Sequence, residues 1–595
     1  MKMNLRSIFS LLLGATLAST TFAQERFLDE VFDDSEITVI KNVPFGVNID
    51  FLRNQNLMDP DYIQTNLAQI QQESQELRDS IYAGSSDMAF FTPYFTSTDP
   101  STILKITGTD NSTANPAHTL CMDVYMPVTA VDTMAARPTI FYIHTGNFLP
   151  PIVNGAPTGS KEDSAAVEMC KQWAKRGYVA IAPNYRHGWN PIASGTTGPV
   201  VRRATLLNAV YRAIHDVKRA VRVAKAQSTS FGIDPSNIAI YGQGSGGYVA
   251  LAYNTLDDQS ETATPKFINP ATGQSYIDPA VVGDVTGGAG LLNLYGDLVD
   301  LGITSDISAQ ANAGGVLGDI SWMQGATPKP MISIHCIRDP FAPFDSGQVI
   351  VRTTGENVVP VPGPNQFMQV ANEMGVNDVF ADKSDYNDPF TFRARNTYNR
   401  NFTHYNGSVT IPGNVEGMFP LEIDLESNQF ENEGAPWEWW TLSDVQTAVA
   451  FSNAVYGTSA NANDIHNDAL MSNPNMAKAK ALNYIDSIQG YLHPRLMLAM
   501  GIGNQQIVST DDVDKNNGSI NIYPNPASTS VEFIATGNAE IESFQIFDLS
   551  GKAVVNQTSV NGTYYFTDVN ALNNGLYIIR MNTNQGVQTH KLVIE

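Results

Sequence analysis

Cysteine is scarce in this chain: Cys121, Cys170 and Cys336 are all there is in 595 residues. Their spacing fits no zinc pattern, and an odd count leaves at least one thiol without an intrachain partner. The expectation is three small buried hydrophobes with at most one disulfide, in a fold that rests on its core. Positive charge is short as well, with 35 Lys and Arg against 59 Asp and Glu. That balance argues against a phosphate-binding surface, so nucleic acid is not expected as a partner. Long apolar runs are missing too. The run from Ile8 to Leu17 is shorter than the roughly 20 residues a bilayer span needs, so no transmembrane segment is expected. Nor is there a pattern of ligands that would call for a metal or another cofactor.

What is present describes a folded, multidomain protein: 43% hydrophobic and 16% charged residues, in a chain too long for one ordinary core. Residues 1–23 read as a secretory signal, with Lys2 and Arg6 ahead of the apolar run and Thr21-Phe22-Ala23 at its end. Residues 24–118 read as an N-terminal extension. In it Ile37 to Ile40 is strand-like, Asp59 to Ala83 is one amphipathic helix capped by Asp59, and Thr92 to Asn115 is loop. Residues 119–500 alternate strands with helices, which implies a mostly parallel sheet covered on both faces. Expected strands are Leu120–Pro127, Pro138–His144, Tyr178–Pro183, Gly315–Leu317 and Pro330–His335, with helices Asp163–Arg176 and Arg202–Ala226. A poorly periodic stretch at about 347–433 reads as an insertion, and a helical tail from Trp437 closes the domain. Residues 501–517 read as a polar linker. The short strands of 518–595, separated by turns such as Ser550-Gly551-Lys552, predict a small β-sandwich.

The chain is organised around Ile238 to Leu251, where an apolar strand runs into Gly242-Gln243-Gly244-Ser245-Gly246 and a helix follows. This has the layout of a nucleophile elbow, the strand-to-helix corner written G-x-S-x-G that presents a serine in α/β-hydrolases. Gly244 stands at the nucleophile position and the serine is one place later. Taking Ser245 as the nucleophile moves the register and puts Gln243 where the corner needs a small side chain. Keeping the register leaves a glycine corner in which Ser245 only caps the helix.

Further segments, in the same order, resemble α/β-hydrolases of the carboxylesterase kind. His144-Thr145-Gly146-Asn147-Phe148 is similar to the family's H-G-G-G-F loop, with Thr145 and Asn147 in place of glycines. The resemblance implies that backbone N–H groups at Gly146 and Asn147, with Gly244 and Gly246 of the elbow, shape an oxyanion site. Asn184-Tyr185-Arg186 resembles the family's D-Y-R, and His335 to Phe344 resembles its H-G-T-x-D-x-x-V-P-Y, which makes Asp339 the expected triad acid. The family's histidine has no direct match. Asn414 to Pro420 is the best local match to the family's G-x-G-H, with Met418 where histidine would stand, and His404 is the possible substitute.

Ile522-Tyr523-Pro524-Asn525-Pro526, Phe547 to Lys552, Asn573 to Tyr577 and His590 to Ile594 resemble the type A sorting domain of the type IX secretion system. The resemblance implies the secretion machinery as a partner and a secreted or cell-surface protein, exported through the periplasm and outer membrane. The expected fold class is therefore an α/β-hydrolase sheet with helices on both faces, plus a C-terminal β-sandwich. The expected function is that of a secreted hydrolase-fold protein with a degenerate triad, whose ligand is a small ester or a cell-surface molecule. An active esterase using Ser245 with Asp339 and His404 is one alternative, and a non-catalytic surface binding protein is the other. A purely structural adhesin leaves the hydrolase motifs unexplained.

Overall fold

The computed structural model describes residues 25–594 apart from 53, 83–116, 297–300, 326–327, 352–353, 382–387, 405–406, 414, 423–433, 474, 504–519, 537–538 and 549–551. The signal segment, the Thr92–Asn115 loop and most of the linker therefore lie outside the described residues. Eight strands form the main sheet: β1 (Ile37–Ile49), β2 (Ala117–Pro127), β3 (Arg137–Ile143), β4 (Val179–Pro183), β5 (Ile233–Gln243), β6 (Ala309–Ala313), β7 (Met331–Cys336) and β8 (Met418–Leu421). Their order is β1-β2-β4-β3-β5-β6-β7-β8. β2 runs antiparallel to both neighbours, and every pairing from β4 to β8 is parallel. This is the mostly parallel, two-faced sheet expected.

Alternation along the strands feeds two cores. In β3, Phe141 and Ile143 join the cluster on one face, while Ile140 and Tyr142 join the cluster on the other. Two short N-terminal helices, α1 (Pro60–Thr65) and α2 (Leu67–Tyr82), come first in the chain. They replace the single helix expected. Asp59 caps α1 through the Asp61 N–H and Pro60 opens it, as read, but Asn66 leaves helical geometry and its side chain turns back onto the Tyr62 carbonyl. The major helices are α3 (Ser164–Lys175), α4 (Gly198–Ala226), α5 (Ser245–Thr255), α6 (Pro364–Glu373), α7 (Leu442–Tyr456) and α8 (Lys478–Met500). α4 and α5 cover one face of the sheet; α3 and α8 cover the other, joined by a bond from the Trp173 indole N–H to Gln489 Oε1 at 2.7 Å.

Two further expectations change, and the reading of the cysteines as buried side chains holds. The strand placed at Gly315–Leu317 lies five residues earlier, at Ala309–Ala313, where alanines alternate with fully buried Gln310 and Asn312. The stretch read as an insertion contains α6 and supplies β8, the eighth strand of the sheet. The three cysteines stand on β2, α3 and β7, all buried and all free, so none forms a disulfide with another. Burial pushes the Cys121 thiol up to about 12, so it stays protonated.

After the linker, a three-stranded sheet (520–523, 530–535, 564–568) faces a four-stranded one (541–547, 553–557, 575–583, 586–594). Phe533, Phe544, Ile579 and Leu592 fill the space between, giving the small sandwich expected.

Candidate functional site

In a parallel sheet the carboxyl ends of the strands open onto a common crevice. Here the corner after β5, the loop after β3 and the turn after β7 all reach one cleft of about 980 Å³, mouth included. It brings together Gly146, Asn147, Gly244, Ser245 and Asp339. Gly246 lies one residue further, inside the first turn of α5. The side chain of His404 lies outside the described residues; its backbone ends a strand (Asn401–His404) that pairs with Gly407–Thr410.

The corner is built by close backbone crossings. A side chain on Gly246 would strike the Ile143 and His144 carbonyls, and one on Gly242 would strike the carbonyl of Gly246. Between them Gly244 has φ 53° and ψ −120°, a conformation that L-residues rarely adopt. The volume next to it is occupied: a Cβ on Gly244 would lie 3.1 Å from Thr145 Cβ and closer still to its hydroxyl. Thr145 is the residue that stands where the carboxylesterase-like loop carries glycine.

Ser245 opens α5 and is 7% exposed. Its Oγ accepts the Asn147 N–H at 2.9 Å. The loop carrying that N–H is clamped from several sides. The Trp189 indole donates to Asn147 O at 2.8 Å, and the Tyr185 hydroxyl lies 3.0 Å from His144 O and 3.2 Å from Thr145 O. Asn147 and Phe148 both sit at positive φ, 51° and 57°. His144 stacks on Tyr185, and burial holds its imidazole down at about 4, so it is neutral.

Asp339 follows β7 and is 4% exposed. Its Oδ1 accepts the N–H groups of Phe341 and Ala342 at 2.8 and 2.9 Å, the pattern of a turn-capping carboxylate. Its Oδ2 lies 3.8 Å from Nε2 of His335, beyond hydrogen-bond range, and that nitrogen is 2.9 Å from the Ala342 carbonyl. The backbone of Gly434 passes directly over the carboxylate, so a Cβ there would sit 2.9 Å from Oδ1. Met418 opens β8 and is wholly buried in the core, paired with Ser333 rather than with the cleft end of the strand. The position read from G-x-G-H is thus a core position.

Several residues of the cleft carried no local signal. Gln243 does not clash. Its side chain donates to Glu438 Oε1 at 2.6 Å and accepts from the Tyr142 hydroxyl. Glu438 Oε2 is 3.4 Å from the Thr158 hydroxyl, and Trp437 and Trp440 flank Glu438 on the cleft wall. The mismatch of Gln243 with the elbow pattern was the one visible sign of this network.

Behind Glu438, burial first and the Glu438 charge second push Asp163 up to about 8, against the pull of the Gly159 and Ser160 N–H groups on its carboxyl. The native state therefore keeps a proton that the unfolded chain releases near 3.8, and stability falls as pH rises from there to about 8. One proton separates the two states, so the slope is at most about 1.4 kcal/mol per pH unit. Asp163→Asn keeps an acceptor but cannot ionise, so its melting temperature relative to the wild type should climb between pH 5 and pH 8. A difference that stays constant over that range would contradict the assignment.

Residues 200–349 match the BD-FAE family model, and residues 521–595 match the secretion system C-terminal sorting domain. Among solved structures, the esterase 2 of Thermogutta terrifontis phosphorylated by paraoxon is 20% identical, covering 38% of this chain and 68% of its own, with a TM-score of 0.24. MGS-M1, an α/β hydrolase enzyme from a Medee basin deep-sea metagenome library, is 14% identical, covering 38% of this chain and 66% of its own, with a TM-score of 0.21. No curated protein matches the chain. The chain carries an esterase-like α/β-hydrolase domain and a type IX sorting domain, which marks it for the cell surface or secretion. Among the described residues, no helix is long and apolar enough to cross a membrane.

Proposed function

We propose that this exported hydrolase-fold protein binds a small ligand in its cleft and does not hydrolyse esters by a serine triad. The observation that carries the reading is the state of the corner: Gly244 at positive φ, with Thr145 filling the space its side chain would need. Two further features support it. The Asn147 N–H, expected to receive an oxyanion, donates to Ser245 Oγ. The sequence has no histidine between His404 and His466, so the segment around Gly434, which lies over Asp339, brings no base.

The second reading, an esterase using Ser245 with Asp339, is favoured by the presence of both on one cleft. A fluorophosphonate probe separates the two, because it reacts only with an activated serine. The intact protein is expected to label no more than its heat-denatured control. p-Nitrophenyl acetate turnover is expected to stay within roughly a thousandfold to ten-thousandfold of water, the residue left to a site that has lost its triad. Labelling that disappears in Ser245→Ala would overturn the proposal.

A further inference from the structure

Beside the polar cleft lies a second cavity of about 530 Å³, mouth included, enclosed by α4, α5 and the Asn357–Pro362 strand. Leu206, Val210, Ala252, Phe267 and Val361 are among its walls. Polar atoms at its edge are already satisfied. The Tyr211 hydroxyl lies 3.2 Å from both Gln259 Oε1 and Gly283 O, and the Trp322 indole donates to Glu261 O at 3.0 Å. A cavity with such walls holds water poorly and favours apolar matter.

The two chambers adjoin one another. Tyr248, on the first turns of α5 beside Ser245, and Val349 line both of them. The polar chamber in turn is acidic in composition. It is lined by Glu438 and Asp339, with the tryptophans 437 and 440, and no Lys, Arg or His is among its described walls. The whole chain carries a net charge of −24, which adds a field hostile to anions.

We infer that the cleft and the cavity form one two-chamber site for an amphiphile, its cationic head against Glu438, Asp339 and the tryptophans and its linear apolar chain past Tyr248 into the second chamber. Carboxylates and aromatic faces are the groups that hold an organic cation out of water. The inference rests on the proposed binding role of the cleft and names its ligand class.

Equilibrium calorimetry on the intact protein with alkyltrimethylammonium ions of four to eight carbons tests it. Affinity should rise by about two- to fourfold per methylene, and therefore at least tenfold across the four methylenes added in the series. Octanoate should bind at least tenfold more weakly than octyltrimethylammonium. Val361→Phe, or Ala252→Leu on α5 should that variant fail to fold, should erase the chain-length gain while leaving butyl binding in place. Glu438→Gln should narrow the preference over octanoate. A flat chain-length series, or octanoate binding as well as the cation, would overturn the inference. Because the readout is binding, it is independent of Ser245 reactivity. Fluorophosphonate labelling alongside a steep series would sink only the non-catalytic reading, and a flat series without labelling only the two-chamber site.

Discussion

Gly246→Ala is expected to leave no stably folded hydrolase domain. The added Cβ would lie 2.6 Å from both the His144 carbonyl oxygen and the Ile143 carbonyl carbon, and nearer still to the Ile143 oxygen. These are backbone atoms at the end of β3, which pairs with β5 along its length, so they cannot step aside without breaking the centre of the sheet. Ordinary overpacking of a core costs about 1–3 kcal/mol because side chains relax. Here nothing flexible is in the way, and the loss should be at least about 4 kcal/mol, against a total stability of roughly 5–15 kcal/mol. The natural control is Gly296→Ala. Its Cβ would meet nothing within 4 Å among the described residues, and its stability should stay within about 0.5 kcal/mol of the wild type. Soluble yield and urea midpoints for the two variants read the contrast. If Gly246→Ala unfolded at the wild-type midpoint, the crossing of β3 and α5 would not be as tight as described.

That crossing explains why so much of the fold could be read from sequence. Two glycines four residues apart, at the end of an apolar strand, are required by local contacts, so Gly242 and Gly246 report the corner directly. The strands with branched apolar residues and the long helix α4 declared themselves by period in the same way. β6 did not, because a strand flanked closely on both sides needs small residues, and Ala309, Ala311 and Ala313 make a weak hydrophobic signal. β8 was hidden for a different reason. It is four residues long and lies inside a stretch without regular period, and the motif match drew attention to Met418 as a base position when it is a core residue. The cleft was legible only where it is local. Gln243 and Glu438 are 195 positions apart, and their bond could not be foreseen from either end of it. Thr145 was visible as a departure from glycine. What it fills became apparent only with Gly244 placed beside it.

Asp216→Ala should be the second large loss, about 3–5 kcal/mol, and should reach the cleft as well. Asp216 and Arg186 are both wholly buried. The carboxylate accepts the Arg186 Nε–H at 2.9 Å and the Arg186 backbone N–H at 2.7 Å, and it lies 2.9 Å from the Tyr295 hydroxyl. Removing it strands a guanidinium where a second one, on Arg212, is already depressed to about 9 by burial and by Arg186 itself. At roughly 2–4 °C per kcal/mol for a large domain, the melting temperature should fall by about 6–20 °C. Arg186 directly follows Tyr185, whose hydroxyl steadies the His144 and Thr145 carbonyls, so ligand binding in the cleft should weaken along with stability. The double variant Asp216→Leu with Arg186→Leu decides where the loss comes from. An isolated buried charge is costly, whereas removing both charges together leaves fewer polar groups to satisfy. The double variant should therefore be more stable than Asp216→Ala. If the two losses simply added, the pair would not be coupled, and Asp216 would be holding Tyr295 and the Arg186 backbone rather than balancing a charge.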